Sequence, residues 1–530
     1  MEVVLFLIMK KSFVYLFLIV TCCFTQQTFS HTHKVETSWP PVSLPPIKEL
    51  PSLQPTSIVV TTNNSEAQLF FNYGLSALHA YAYLEAYRSF DRALRLDPKM
   101  TLGHWGKAYS FLGVGKTGPQ LDKLISQALS GVEEISEIEK MYVWALAAYT
   151  RSDKAYIEAL EKLLEKFPDE LEAKLLLGFF MNDQYDHLGN PKGHQAYANT
   201  LLRPLLKQYP DHVGVHHAWI HAVESGQHPE RAAYSTEVLR ASNSSFGHIA
   251  HMPGHMAWSR QDYKEAVKYF RQAERVDLEY LKETGLSVND YWSYLHNMSY
   301  LLVAEIESGD FVAARQSIER VTIKFNQVGT SSADSVWQKF QSDHVSRLFS
   351  RSGDWLSTNN LLENLEVDTI GHKIKQLHSS ILSVLNIELK QTQKKHKDKA
   401  KSELVELSQQ VETFGQNETF YQMLLFEARA VVSALNGDGK SSVASFRQAL
   451  VSEQKIPYEE PPLRVRTVYE TAGQTFCHFQ LYDVAVSMYK EAIKLTKNNG
   501  HAIQGMISCL RAQGDSSKAN QLEKKLNTIW

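Results

Sequence analysis

The stretch GLSALHAYAYLEAYRSFDRALRLDP, residues 74–98, decides the fold of this chain. Small residues stand at Gly74 and, twelve positions later, at Ala86, and the aromatic residue Phe90 follows one helical turn after Ala86. Small side chains at facing positions let two helices pack closely, and the aromatic ring fills the gap toward the next pair of helices. Proline cannot continue a helix, so the stretch ends at Pro98 and predicts one helical hairpin.

The same pattern recurs along the chain, which makes it a repeat. Its second-helix residues are Ala86, Phe90 and Ala93 in the first stretch, and they return as Ala266, Phe270, Ala273 and as Ala485, Tyr489, Ala492. Ala232 and Ala266 are 34 residues apart, and Gly473 stands twelve residues before its alanine. In period and residue type the chain resembles the tetratricopeptide-repeat proteins over most of residues 64–530.

This resemblance implies an all-α fold, an α-solenoid of tetratricopeptide-type helical hairpins wound into a right-handed superhelix. A single hairpin cannot bury its apolar face alone, so the hairpins must stack on one another. The repeat is not regular, and one interruption falls between Ala266 and Ala314, which are 48 residues apart and not 34. We therefore predict an N-terminal array with histidine-rich repeats at 64–280 and a C-terminal array at 281–530.

The first 63 residues lie outside the repeat pattern. Lys10 and Lys11 precede a short apolar run, and Ser30 offers a small residue for cleavage, as in a secretory signal peptide. We predict a signal peptide at 1–30, a proline-rich linker at 31–63, and a secreted or periplasmic protein. Lipid attachment at Cys22 is disfavoured, because Thr21 stands where lipoprotein signals usually have Gly, Ala or Ser.

The composition limits the classes of partner. The chain has 530 residues, with 55 Lys and Arg against 58 Asp and Glu, so it lacks the basic charge that nucleic-acid binding needs. No apolar segment is long enough to span a membrane. Beyond the signal peptide only two cysteines occur, Cys477 and Cys509, and the sequence leaves open whether they form a disulfide.

Histidines are concentrated in one region. Eight of the 21 histidines lie within residues 212–255, and two pairs have the spacing H-x-x-x-H: His217 with His221, and His251 with His255. On a helix, residues four positions apart share a face, which lets two imidazoles bind one metal ion. The glutamate of the H-E-x-x-H metalloprotease motif is absent from both pairs.

The repeat period places these histidines at equivalent positions of neighbouring repeats. When Ala232 and Ala266 are aligned as equivalent positions of two repeats, both histidine pairs and Glu224 fall in the first helix of their repeat. They take the positions that line the concave groove of tetratricopeptide-repeat proteins. The hypothetical metal ligands are His217, His221, Glu224, His251 and His255, while His248, His296 and Trp258 are expected on the same groove wall. Imidazole with one carboxylate suits Zn, Cu or Fe.

One residue argues against simple helical stacking of the second pair. Pro253 lies between His251 and His255 and predicts a kink or a late start of the helix. A metal-free ligand site and a buried polar network are the alternatives to a metal site.

Residues 217–224 and 247–255 resemble a block in secreted bacterial tetratricopeptide-repeat proteins of unassigned activity, which implies no reaction. The sequence therefore predicts a module that binds a protein or peptide in its groove, with a glycan as a further ligand class. The alternative is a metal-binding protein or a metal-dependent enzyme, and whether the chain is an enzyme stays open.

Overall fold

The computed structural model describes residues 47, 58–115, 117–242, 244–288, 290–326, 337–365, 369–387, 391–414, 418–459 and 461–530. The predicted signal peptide at 1–30, with Cys22, and most of the predicted linker at 31–63 lie outside these residues. Within the described residues the secondary structure is helical and forms no β-sheet, so the all-α prediction is confirmed. None of the described helices combines the length and the apolar character needed to cross a bilayer.

The chain divides into two compact units. The first contains the described residues of Pro45–Gln184 and Pro191–Val223, and the second contains those of Tyr185–Asn190 and Glu224–Trp530. The boundary that the repeat phase predicts between 280 and 281 falls inside the second unit and stays a prediction.

The first unit contains ten α-helices among its described residues. They are α1 (Ser65–His79), α2 (Tyr83–Leu96), α3 (Thr101–Gly113), α4 (Pro119–Ser130), α5 (Glu137–Tyr149), α6 (Asp153–Lys166), α7 (Leu171–Phe180), α8 (Gln195–Leu202), α9 (Leu205–Gln208) and α10 (Val213–Val223), with a 3-10 turn at Val132–Glu134.

The second unit contains 3-10 turns at Pro229–Ala232 and Ser383–Asn386 and a short π-helix at Gln341–Val345. Its α-helices are α11 (Ala233–Ala241), α12 (Gly247–Ser259), α13 (Tyr263–Thr284), α14 (Trp292–Glu307), α15 (Phe311–Asn326), α16 (Ser346–Arg351), α17 (Trp355–Glu363), α18 (Ile370–Leu382), α19 (Lys394–Phe414), α20 (Thr419–Leu435), α21 (Gly439–Glu453), α22 (Val468–His478), α23 (Tyr482–Leu495), α24 (Gly500–Gln513) and α25 (Ser516–Ile529).

The repeat residues make the close contacts between these helices. Phe90 is fully buried between two glycines, since a Cβ atom at Gly74 would lie 2.6 Å from its ring and one at Gly106 only 2.5 Å from it. The same arrangement recurs with Gly473, Tyr489 and Gly505 in the second unit. Consecutive helices pack as hairpins, for example α1 with α2 and α22 with α23. Each unit is thus an α-solenoid of stacked hairpins, as predicted, and the right-handed sense of the superhelix stays a prediction.

The insertion predicted in the middle of the chain belongs partly to a long helix. Helix α13 has 22 residues and is followed by Gly285, whose φ of +71° is readily adopted only by glycine. The extra residues therefore add helical turns to α13 before the loop that leads to α14. These added turns include Asp277, a buried carboxyl group that contacts the first turn of α14.

Candidate functional site

Helix α12 carries three of the histidines singled out by the sequence, and Pro253 does not delay its start. The helix begins at Gly247 and continues through Pro253, so the predicted late start is wrong. Pro253 removes one backbone hydrogen bond, and almost every other residue of α12 is buried by neighbouring helices. Because α12 is helical from its first turn, His248, His251 and His255 lie on one face, at spacings of three and four residues.

This face of α12 forms a histidine cluster in the second unit. We define the histidine cluster as His248, His251, His255, His296 and Glu224. His255 Nδ1 lies 2.5 Å from a carboxylate oxygen of Glu224, and His255 Nε2 lies 2.6 Å from His251 Nε2. His296, from α14, places its ring 4.7 Å from the ring of His251 and 5.3 Å from that of His248.

The histidine cluster is buried. Each of its five residues is at most 4% exposed. The repeat phase instead predicts that these side chains lie on an open groove wall. Aromatic rings surround the imidazoles: Tyr300 lies 4.8 Å from His251, and Trp292 lies 5.2 Å from His248, measured between ring centroids. The enclosed space therefore suits an ion or a proton relay and excludes a bulky ligand.

The other predicted pair, His217 and His221, belongs to the first unit. Their ring centroids are 4.8 Å apart on α10, and both rings contact Tyr81. His217 Nδ1 lies 2.5 Å from the backbone carbonyl oxygen of His79. Of the five residues predicted as metal ligands, two belong to the first unit and three to the second, and the five-residue site stays a prediction.

Sequence reasoning missed a second polar group in the first unit. His79 Nε2 lies 2.7 Å from a carboxylate oxygen of Glu172, although 93 residues separate the two in the chain. His212 places a ring nitrogen within 4.8 Å of ligand atoms of both. Burial, together with the neighbouring His79, lowers the pKa of His212 to about 4, so the imidazole of His212 is neutral at pH 7. No spacing rule links these three positions.

The second unit also contains a cavity that no sequence motif indicated. Its volume is about 330 Å³, and Trp258, predicted as a groove residue, is half-buried in its wall. Four arginines line it, and we call it the arginine cavity: Arg347, Arg351, Arg464 and Arg466. Glu224 of the histidine cluster also lines this cavity.

Two of the four guanidinium groups are neutralised by carboxylates. Arg351 donates two hydrogen bonds of 2.8 Å to Glu307 and one of 2.5 Å to Glu470. Burial opposes ionisation of Glu470, but its neighbours together, with Arg351 first and with Arg466 and a hydrogen bond from Asn499 among them, outweigh burial and lower the pKa of Glu470 to about 2. Arg464 forms an ion pair of 2.7 Å with Glu453.

Arg347 and Arg466 differ, because no carboxylate of the described residues lies within ion-pair distance of either. Arg347 is 3% exposed and donates to the backbone carbonyl groups of Pro462 and Arg464, while its Nε has no hydrogen-bond partner. The guanidinium of Arg466 stacks 4.6 Å above the ring of Trp355, and one of its Nη atoms is also without a partner. Burial lowers the pKa of Arg347 to about 10, so this group is still charged at neutral pH.

Comparisons with known proteins do not assign the chain to a family. No family model and no curated protein matches the chain. Among solved structures, the crystal structure of yeast Tom70 aligns over 88% of this chain and 93% of its own, with 12% identity and a TM-score of 0.31. The structure of the APC/C hetero-tetramer Cut9-Hcn1 aligns over 88% and 94%, with 11% identity and a TM-score of 0.27. These values are too low to carry an argument, and the description of this chain rests on its own helices: each unit is built from stacked helical hairpins.

Proposed function

We propose that this chain is a binding protein whose arginine cavity receives a carboxylate group of a protein or peptide partner. The observation that carries the proposal is the pair Arg347 and Arg466, two guanidinium groups without a carboxylate partner beside one cavity. Leaving a buried charge unpaired is costly, and a guanidinium binds a carboxylate through two parallel hydrogen bonds. An entering carboxylate would supply the missing acceptors.

The size of the cavity restricts what enters it. A volume of about 330 Å³ is at the lower end for small-molecule pockets, so it suits one side chain or a chain terminus and not a folded domain. The aromatic residues Trp258, Tyr263 and Tyr458 line the same cavity and offer apolar contact to the residues next to the carboxylate.

The charge of the wall favours a carboxylate over more highly charged anions. Three carboxylates line the cavity together with the four arginines: Glu224, Glu307 and Glu470. Against four arginines they leave a net charge of +1 on the cavity wall, which one singly charged carboxylate balances and a doubly charged phosphate exceeds. A neutral glycan, the further ligand class considered from the sequence, could stack on the aromatic rings but would leave both guanidinium groups without an anion.

A secreted or periplasmic location is part of this proposal. It rests on the signal-like sequence of residues 1–30.

The proposal is tested by selecting binders from a displayed random peptide library with the full chain. We expect the selected peptides to be enriched in Asp and Glu. They should bind the Arg347→Lys and Arg466→Gln variants about ten- to a hundredfold more weakly, because a hydrogen bond to a charged group contributes about 1.5–3 kcal/mol. Fluorescence polarisation with the best peptide, and with its amide counterpart carrying Gln and Asn, measures both effects.

Arg315→Gln is the matched control, since Arg315 is an exposed arginine of the same unit that does not line the cavity. Circular dichroism of each variant checks that the helices are retained. Selection without acidic enrichment, or equal affinity of wild type and the two cavity variants, would refute the proposal.

A further inference from the structure

The four histidines of the histidine cluster do not line the arginine cavity, and only Glu224 is common to both sites. We propose that His248, His251 and His296 bind one divalent transition-metal ion of the zinc class, and that His255 and Glu224 position His251 for this role. The inference goes beyond the proposed function and does not depend on it.

The three imidazoles converge from two helices. His248 and His251 are one turn apart on α12, His296 comes from α14, and one ring nitrogen of each lies within 4.8 Å of the other two. In a tetrahedral zinc site with bonds of about 2.0–2.1 Å, the nitrogen ligands are about 3.3 Å apart. Small rotations of buried side chains therefore suffice to bring the three nitrogens around one ion.

The chemistry of the donor set selects the metal. Three imidazoles without a carboxylate in direct contact suit Zn²⁺, Cu²⁺ or Fe²⁺ and not Ca²⁺ or Mg²⁺, which require oxygen ligands. The surroundings exclude water on several sides, because Phe270, Tyr300 and Trp292 pack against the imidazoles. Three protein ligands leave a fourth position of a tetrahedral ion open.

A hydrogen-bonded relay fixes the tautomer of His251. A neutral His255 that donates its Nδ1–H to Glu224 carries a lone pair on Nε2. The contact of 2.6 Å between the two Nε2 atoms then requires that His251 Nε2–H donates to His255. In that tautomer His251 Nδ1 is unprotonated, which is the form that binds a metal ion.

This relay changes the roles that the sequence suggested. Glu224 and His255 were expected as direct ligands, and here they act through His251 as positioning residues. Metal-binding histidines commonly donate their second ring nitrogen in this way, and removing such a partner weakens metal affinity about ten- to a hundredfold. His217 and His221, in the first unit, are not part of the proposed site.

The test measures metal content and affinity of the full chain. The purified protein is stripped with EDTA and titrated with Zn²⁺, Cu²⁺ and Fe²⁺ separately, and Co²⁺ replaces Zn²⁺ to report ligand geometry by visible absorption. We expect one Zn²⁺ per chain in the histidine cluster. His248→Ala and His296→Gln should each abolish that binding, while Glu224→Gln should keep the stoichiometry and lower the affinity about ten- to a hundredfold.

His212→Ala is the matched control, because His212 belongs to the separate group with His79 and Glu172 in the first unit. Circular dichroism shows whether each variant retains its helices, and Glu224→Gln tests the relay even where a ligand variant fails to fold. A wild-type chain that takes up none of the three metals refutes the proposal. So does a His296→Gln variant that binds as tightly as wild type, or a His212→Ala variant that loses the ion.

Discussion

At the scale of a single residue, the side chain of Asp277 contacts both helices that carry the histidines of the histidine cluster, α12 and α14. It is fully buried in α13 and accepts hydrogen bonds from Ser293, at 3.1 Å, and from Asn297 in the first turns of α14. On its other side it touches the start of α12, where a Cβ atom at Gly247 would lie 1.9 Å from its carboxyl oxygen. Only glycine leaves room for this contact at position 247. The carboxyl group of Asp277 therefore packs against the first turns of both α12 and α14.

The protonation of Asp277 makes the stability of the chain depend on pH. Burial raises the pKa of Asp277 to about 7, against hydrogen bonds from Asn297, Tyr291 and Ser293 that lower it, and the value in the unfolded chain is near 3.8. The folded state therefore binds a proton that the unfolded state has already released. This stabilisation is complete below the unfolded pKa and is lost as the pH rises through about 7.

We predict that Asp277→Asn removes this dependence, because an amide does not titrate. Between about pH 4 and pH 7, the free energy of unfolding of wild type should fall relative to that of the variant, by up to about 1.4 kcal/mol for each pH unit. Urea unfolding at a series of pH values measures it. Asp310→Asn, at an exposed helix cap, is the control and should follow wild type. Parallel curves for wild type and Asp277→Asn would contradict the prediction.

At the scale of the helical hairpin, the glycines of the repeat set how closely two helices approach. A Cβ atom at Gly473 would lie 2.8 Å from the ring of Tyr489, closer than real contacts allow. Gly473→Ala should therefore destabilise the second unit by about 1–3 kcal/mol, the usual cost of an overpacked core. Gly439→Ala is the control, since a Cβ atom there meets nothing within 4 Å. Thermal unfolding should show a lowered midpoint for the first variant alone.

The hairpins could be predicted from sequence because their packing depends on residues at short, fixed spacings. Phe90 contacts Gly74 and Gly106, each sixteen positions away, and such distances repeat visibly in the chain. Pro253 was misjudged because its lost hydrogen bond is a local cost, whereas the burial of α12 is a tertiary gain. Sequence rules that consider only neighbouring residues do not include the free energy gained when α12 is buried.

The candidate sites were only partly predictable for a related reason. Helical spacing identifies the face on which His251 and His255 lie, and the repeat phase relates them to Glu224. Neither states how deeply that face is buried. The pairing of His79 with Glu172 spans 93 residues, and Arg351 reaches Glu470 across 119. Contacts at such separations are created by stacking of hairpins and leave no periodic trace.

At the scale of the whole molecule, both proposed sites belong to the second unit. The histidine cluster extends from Glu224 to His296, and every residue lining the arginine cavity also lies in this unit. Glu224 takes part in both, since it lines the cavity and accepts a hydrogen bond from His255. The first unit has its own polar group around His79, which provides a built-in comparison.

Hydrogen exchange of the full chain with and without Zn²⁺ makes use of this division. A ligand that binds only the folded state stabilises it by RT ln(1 + [L]/Kd). This added free energy slows hydrogen exchange at those backbone amides that become exposed only when the binding site unfolds. We predict slower exchange in α12 and α14 and unchanged exchange in α1 and α7. His296→Gln should exchange equally with and without the metal. Protection that appears in α1 and α7 would instead place the ion at His79, Glu172 and His212, because those helices supply two of these three side chains.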